Sequence, residues 1–503
     1  MKFTLSYRLL RRISQVLFLL LFLCLFRLTD YSGSDDIPYA VNIFFRWNPL
    51  VAISTMLAAK EFIGLLFPAI IIIMITMILG RVFCGWLCPL GTLLDGTDAL
   101  INTSVKPGSR IRHVKYIILV IILTASFFGL QLIGYFDPFS ILVRGLTFSV
   151  DPGLNFIIAW IFDGIYVACP PWLSSFTEPV YSFLKSTLLP YRQSFFSLSL
   201  LSFIILGTIF ALEKLGRRYW CRNLCPLGAL LALFSRFSLL RRLPFKSCAG
   251  CKGCSEECRM DAFDEKGFLM NEECSLCMDC IDDCKDSVSS FRFKLPENRA
   301  PMSINRRLFI ESGLVAISLP VLSKVGISHR MRDSYLLRPP GVRDEAEFLA
   351  MCVRCGECMK VCIKNALQPA FMESGYEGMF SPRLIPRIGY CEFNCNLCAQ
   401  VCPTGAIGKM PLPEKQKFVI GRAYFNKNRC LPFSENKSCI VCEEHCPTYD
   451  KAIKFKEETV KDAKGNHITL KQPYVIKELC IGCGICEKVC PIDGEAAVRV
   501  MKD

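Results

Sequence analysis

The sequence predicts an α-helical polytopic membrane domain of four spans, with a fifth farther along, joined to small α+β domains folded around cysteine. Three observations predict this. Hydrophobic residues make up 52% of the 503, and the apolar excess sits in the first 215. The chain has thirty cysteines, most of them after that point. Those later cysteines fall into groups of four at short, regular spacing, a pattern of metal ligands rather than of packing residues.

The last third carries the pattern most plainly. Cys480, Cys483, Cys486 and Cys490 stand as C-x2-C-x2-C-x3-C with Pro491 next, and Cys352, Cys355, Cys358 and Cys362 keep the same spacing with Ile363 in place of the proline. Cys391, Cys395, Cys398 and Cys402 open the first gap by one residue, and Cys430 stands nine residues ahead of Cys439, Cys442 and Cys446; Pro403 and Pro447 follow these two groups. The spacing is that of a bacterial ferredoxin, in which three thiolates clasp one [4Fe-4S] cluster and the fourth reaches another. Zinc ribbons use paired C-x2-C units and disulfides have irregular spacing, so four clusters are expected here. Their pairing is open at this point. The domains are then small α+β ferredoxin-like iron–sulfur domains, with residues 346–503 as a four-cluster unit.

Residues 246–295 repeat the theme. Cys248, Cys251, Cys254 and Cys258 are followed by Cys274, Cys277, Cys280 and Cys284. Cross-ligation predicts Cys248, Cys251 and Cys254 with Cys284, and Cys274, Cys277 and Cys280 with Cys258. Arg259 and Lys285 stand where prolines would follow. Two clusters here and four beyond make six, and ligands that must be reduced for metal insertion place assembly in a reducing cytoplasm.

The first 245 residues read as the membrane domain. Apolar stretches at 13–28, 62–80, 114–134 and 195–212 are each long enough to span, the first barely. The stretch 153–167 is apolar but short and carries Asp163, so it reads as an interfacial or re-entrant helix. Lys2, Arg8, Arg11 and Arg12 lead the first span; Arg81, Lys106, Arg110, Arg112 and Lys115 separate the second from the third; Lys214, Arg217, Arg218, Arg222, Arg236, Arg241 and Arg242 follow the fourth. The positive-inside rule puts all of these in the cytoplasm. It also explains the net charge of +14 without a nucleic-acid partner.

An internal repeat lies in this half. Cys84-Gly-Trp-Leu-Cys88-Pro-Leu-Gly follows the second span and Cys221-Arg-Asn-Leu-Cys225-Pro-Leu-Gly follows the fourth. Both pairs belong at the same cytoplasmic edge, where four thiols could hold a further metal centre or relay electrons, or could only shape turns at helix ends. Cys24 reads as a packing residue and Cys169 has no partner in pattern. Asp137, before Pro138 on the outer side, is a weak candidate for taking a quinol proton and otherwise a turn or cap. His113 is the only histidine in this half, which leaves no pair of axial ligands for haem.

Residues 296–345 join the halves. Arg306 and Arg307, ahead of an apolar stretch that runs to Leu322, resemble a twin-arginine export signal, which moves cargo already folded and would carry residues 346–503 outward behind a fifth span.

These motifs carry a family resemblance. Residues 1–295, with two C-x3-C-P motifs and a paired ferredoxin run, resemble the NapH-type membrane ferredoxins, and residues 303–503 resemble the MauM/NapG-type ferredoxins. The resemblance implies a fusion of two subunits of a quinol dehydrogenase, multi-pass in the cytoplasmic membrane. Such a protein oxidises quinol or menaquinol from the membrane quinone pool and feeds a terminal reductase or cytochrome partner, such as a periplasmic nitrate reductase. Two rivals remain: a redox assembly factor of the CcoG type, which would end in a β-sandwich, and a ferredoxin subunit of a cytoplasm-facing membrane complex.

Overall fold

The computed structural model describes residues 6–101, 109–168, 171–187, 189–190, 192–244, 253–263, 269–284, 289–294, 310–311, 313–318, 334–461 and 467–502. Arg306, Arg307, Lys285, Cys169, Cys248 and Cys251 lie outside them.

The first apolar stretch forms a helix from Tyr7–Leu28, 22 residues or about 33 Å at 1.5 Å per residue. The other three form shorter helices, Ala69–Leu79, Val114–Phe127 and Ser199–Ala211, of 11, 14 and 13 residues. Local chemistry sets their ends. Pro68 precedes the first of these and Gly80, at φ +102°, closes it; Gly129, at φ +85°, follows the second. A left-handed backbone favours glycine and cannot continue a helix.

Among the described residues two helical runs are long and apolar enough to cross a membrane, Tyr7–Leu28 and Pro138–Val167. The second corrects the expectation of a separate short helix at 153–167. Asp137 caps its start, accepting the Ser140 N–H at 2.8 Å, with Pro138 in the first turn. The helix then continues through a π turn, Leu146–Val150, into Asp151–Ala168. Widened turns of this kind absorb an interruption such as Pro152 without ending the helix.

The helices pack around a cluster of rings. Phe22 meets Phe44 edge-on at 5.3 Å, and Phe139 stacks against Phe44, Phe45 and Phe83 with centroids 5.8 to 6.1 Å apart. Leu50, Ile122, Leu142 and Leu231 complete this core, all of them fully buried.

A cysteine-rich unit is bound at each end of the helical layer. At one end Arg11 pairs with Asp279, Arg112 and Arg222 with Asp261, Lys115 and Arg81 with Glu273, and the Trp86 indole donates to the Leu276 carbonyl. The strands Leu240–Pro244 and Ser289–Phe293 pair antiparallel and bracket this unit. At the other end Asn42 donates to the Val401 carbonyl, Gln131 to that of Ala350, Arg144 to that of Arg354 and Tyr135 to that of Tyr376. Lys360 of the last domain is held between Asp30, at 2.6 Å, and Asp151, at 3.3 Å.

Among the described residues every sheet has two strands. In the last domain Leu367–Pro369 pairs with Pro382–Leu384, Arg422–Phe425 with Val498–Met501, and Ile453–Lys461 with His467–Val475, all antiparallel. Short helices and two-stranded ribbons make the α+β expectation correct for this part.

One glycine sits at each contact. A Cβ on Gly134 would come 2.5 Å from the Val353 carbonyl oxygen, and one on Gly85 would collide with that of Ser275. Gly134→Ala should therefore loosen the last domain and Gly85→Ala the inner unit, each by about 1–3 kcal/mol of overpacking. Limited proteolysis and thermal unfolding should register both losses, with Gly153→Ala, in open space, as the neutral control.

Candidate iron–sulfur centres

The strict cysteine runs share a backbone device. In Cys352–Cys358, Cys480–Cys486 and Cys274–Cys280 the residues on either side of the second cysteine are left-handed: Arg354 and Gly356, Gly482 and Gly484, Leu276 and Met278. Alternating the hand turns successive N–H groups into one concavity, the arrangement that suits an anion or an iron–sulfur group. The third cysteine of each run then lies on a helix of about one turn, as Cys358 does on Glu357–Lys360 and Cys486 on Ile485–Val489.

The fourth cysteines are exchanged between runs. Cys352, Cys355 and Cys358 gather with Cys402. Cys362 turns instead to Cys391, Cys395 and Cys398. Cys430, Cys439 and Cys442 line a cavity of about 340 Å³ with Cys490, while Cys446 joins Cys480, Cys483 and Cys486 around one of about 350 Å³. In the inner unit Cys258 faces Cys274, Cys277 and Cys280, the set expected from spacing. The exchange within the last domain was not readable from spacing, because the nine-residue gap and the widened run leave several pairings open.

The donor sets fit iron–sulfur groups. Burial, reinforced by neighbouring thiols, pushes Cys442 up to about 12 and Cys395 up to about 11. Such thiols become ligands only against a positive core that replaces their protons. Backbone N–H groups already aim at sulfur: Ala497 to Cys490 at 3.4 Å, Ala262 to Cys258 at 3.3 Å and Leu276 to Cys274 at 3.4 Å. Among the described residues no three His, Cys, Asp or Glu side chains stand close enough to hold a single ion. One zinc ion, with bonds of about 2.3 Å, would draw its four sulfurs to within about 4 Å of each other.

The thiols of the internal repeat also converge. Cys84, Cys88, Cys221 and Cys225 lie in one another's electrostatic field and pack against the helical core. Cys225 caps the helix Pro226–Ser235, its sulfur accepting the Gly228 N–H at 3.3 Å. Sequence reasoning missed what surrounds them, although the signal was present: an arginine stands three residues ahead of each motif, Arg81 and Arg218, and both are buried among the thiols.

Other expected positions are accounted for. Asp137 is fully buried, with Asn48 on one carboxylate oxygen at 2.5 Å and the Ser140 N–H on the other. Cys24 is exposed on the first helix, which corrects its reading as a packing residue. A shallow recess opens beside Cys362, lined by Asp30, Tyr31, Asp151, Arg192 and Lys360.

Comparison with known proteins agrees with this geometry. A 4Fe-4S dicluster domain family matches residues 351–406 and 436–493, and a 4Fe-4S binding domain family matches residues 62–106 and 195–244, which hold the two C-x3-C-P motifs. The methylamine utilization ferredoxin-type protein MauM of Methylorubrum extorquens is 34% identical over 210 residues, 40% of this chain and 90% of that protein. The chain belongs to the MauM/NapG ferredoxin-type family. Escherichia coli NapG, a ferredoxin-type protein, is 35% identical over 167 residues, 33% of this chain and 70% of NapG. The MauM protein of Methylophilus methylotrophus is 32% identical over 209 residues, 41% of this chain and 87% of its own. No solved structure matches. As a MauM/NapG-type ferredoxin the protein binds iron–sulfur clusters and works in electron transfer.

Proposed function

We propose that this protein is a membrane-embedded quinol dehydrogenase component in which a NapH-type membrane ferredoxin is fused to the MauM/NapG-type domain, and that it passes electrons to a terminal reductase or cytochrome partner. Six [4Fe-4S] clusters, each taking or giving one electron when bound, supply the redox chemistry. In the inner unit Cys258 completes the set of Cys274, Cys277 and Cys280, and Cys248, Cys251, Cys254 and Cys284 hold the other cluster. In the last domain each run lends its fourth cysteine to its neighbour.

Outward-facing apolar rows support the membrane reading. Ile70, Ile71 and Met74 on one helix and Leu200, Phe203 and Ile204 on another are about half exposed or more, far more apolar surface than water-facing helices carry. Tyr7–Leu28 and the short helices with their flanking turns would make four spans, Pro138–Val167 would lie re-entrant along the seam where Asp151 meets Lys360, and a fifth span would lie at the joint. The two cysteine-rich units at opposite ends of the layer would then face opposite sides, the inner one cytoplasmic.

The recess beside Cys362 carries the quinol reading. It adjoins a cysteine of the cluster array, and Asp30 and Asp151 offer carboxylates there. Oxidising one quinol to quinone would release two electrons, for which clusters held by the cysteines above would be the acceptors, and two protons, which would leave to water along the Asp30–Lys360–Asp151 seam. A periplasmic nitrate reductase-like enzyme is the partner that the resemblance suggests. The assembly-factor reading is less well supported, because the described strands form two-stranded ribbons rather than a closing β-sandwich.

Two experiments follow. In anaerobic protein, Cys402→Ser and Cys355→Ser should remove the same cluster from the EPR spectrum, with about four irons lost per chain in each; loss of different clusters would contradict the exchange. Asp151→Asn should slow reduction by a menaquinol analogue on the order of 100-fold while dithionite reduces every cluster as before. Unsubstituted protein that dithionite reduces but no quinol analogue does would end the quinol reading.

A further inference from the structure

The cysteine runs of the last domain differ in the charge set beside them. At the run that meets the helical layer, Arg354 stands between Cys352 and Cys355 in sequence, and Arg144 comes to it from the helix that begins at Pro138. The Arg144 Cα lies 3.7 Å from where a Cβ on Gly356 would be, so this helix packs directly on the cysteine loop. Both side chains are almost wholly buried.

Their partners are neutral. Arg144 donates to the carbonyls of Gly134, at 2.9 Å, and Arg354, at 3.3 Å, with its guanidinium 4.1 Å from the centre of the Phe380 ring. Arg354 donates to the Glu377 carbonyl and lies 4.8 Å from the centre of the Tyr135 ring. Carbonyls and rings solvate a cation without cancelling its charge. The Arg354 Nε and Nη1 have no hydrogen-bond partner, and a buried guanidinium with unmet donors calls for an anion. Cys352 adjoins Arg354 and Cys355 adjoins Arg144, so thiolates that hold a cluster there supply one.

Two acids stand near, and neither offsets the pair. Glu357, in the same loop, faces a cation of its own, Arg46, so ionised or not it leaves the two arginines uncompensated. Asp137 neighbours Arg144, but one carboxylate against two cations still leaves a net positive charge. The other centres have fewer cations. Lys415 stands beside Cys391 and Cys398, and Arg422 beside Cys480, whereas the neighbours that bear on Cys430 and Cys442 are other cysteines. A fixed cation favours an added electron on a nearby centre, the more so where water does not screen it.

We propose that Arg144 and Arg354 hold the centre of Cys352, Cys355, Cys358 and Cys402 at the highest midpoint potential in the last domain, so that an electron given to this domain rests at its seam with the helical layer. An electron supplied by dithionite reduces that centre by one unit and oxidises the donor by one. It leaves when an acceptor of higher potential docks, and no bond forms or breaks. The proposal rests on the four-centre reading of this domain and does not require quinol.

The test uses full-length protein, purified without oxygen and titrated with dithionite under EPR. Single serine variants at Cys355, Cys398, Cys442 and Cys486 should each remove one component and so assign the four centres. A variant that removes none would end the four-centre reading, and the proposal with it. Of the four, the component lost in Cys355→Ser should be the first to appear as the potential falls. Arg354→Gln and Arg144→Gln should keep their iron and move that component alone to lower potential, by on the order of tenfold in its reduced-to-oxidised ratio, which is about 59 mV for one electron. Arg354→Lys, which keeps the charge, should titrate close to the unsubstituted protein, and the exposed Arg343→Gln should shift nothing. If the arginines only fasten the domain, the glutamine variants unfold sooner but titrate as before. That result, a Cys355 component that appears after another of the four, or Arg354→Lys shifted as far as Arg354→Gln would each overturn the proposal.

Discussion

The arrangement depends on a buried charge cluster around Glu273. Lys115 and Arg81 both reach its carboxylate, all three side chains are almost wholly buried, and the Tyr116 hydroxyl donates to its other oxygen at 3.1 Å. Breaking one partner of such a set leaves an uncompensated charge in a low-dielectric interior, at a cost of several kcal/mol. Glu273 directly precedes Cys274, while Arg81 stands three residues before Cys84. The same contact therefore fixes the inner unit against the helices and sets the repeat's thiols beside it. Electron transfer needs centres that stay near each other, and this ion cluster is what holds them.

The far end is fastened differently. Carbonyl groups of the last domain accept from Asn42, Gln131, Arg144 and Tyr135, and Lys360 closes the seam against Asp30 and Asp151. Close backbone approach at Gly134 brings Val353 and Cys355 against the helical core. One end is held by charge and the other mainly by neutral hydrogen bonds and fit, yet each brings cysteines to the layer.

Much of the site was legible because ligand spacing is local: a C-x2-C-x2-C run needs only its own loop, and the left-handed residues around Cys355 and Cys483 follow from it. Pairing was not legible, because Cys362 and Cys402 find their partners through tertiary packing. Basic residues read for sidedness turned out to have a second use. Arg8, Arg11, Arg112 and Arg222 pair with Asp279 and Asp261, so charge that the positive-inside rule assigns to topology is also an interface. The apolar run at 153–167 does not show where its helix begins, because the Asp137-Pro138 start lies fifteen residues earlier and a π turn at Leu146–Val150 joins the two parts.

Passage of electrons from quinol in the bilayer to an acceptor at the face that carries the last domain is the central claim, and it can be measured directly. The protein would be reconstituted anaerobically into sealed vesicles that enclose an impermeant electron acceptor, with a menaquinol analogue supplied in the bilayer. The account predicts that the enclosed acceptor is reduced with the protein present and stays oxidised in vesicles without it. Clusters that become reduced while the enclosed acceptor remains oxidised would contradict it.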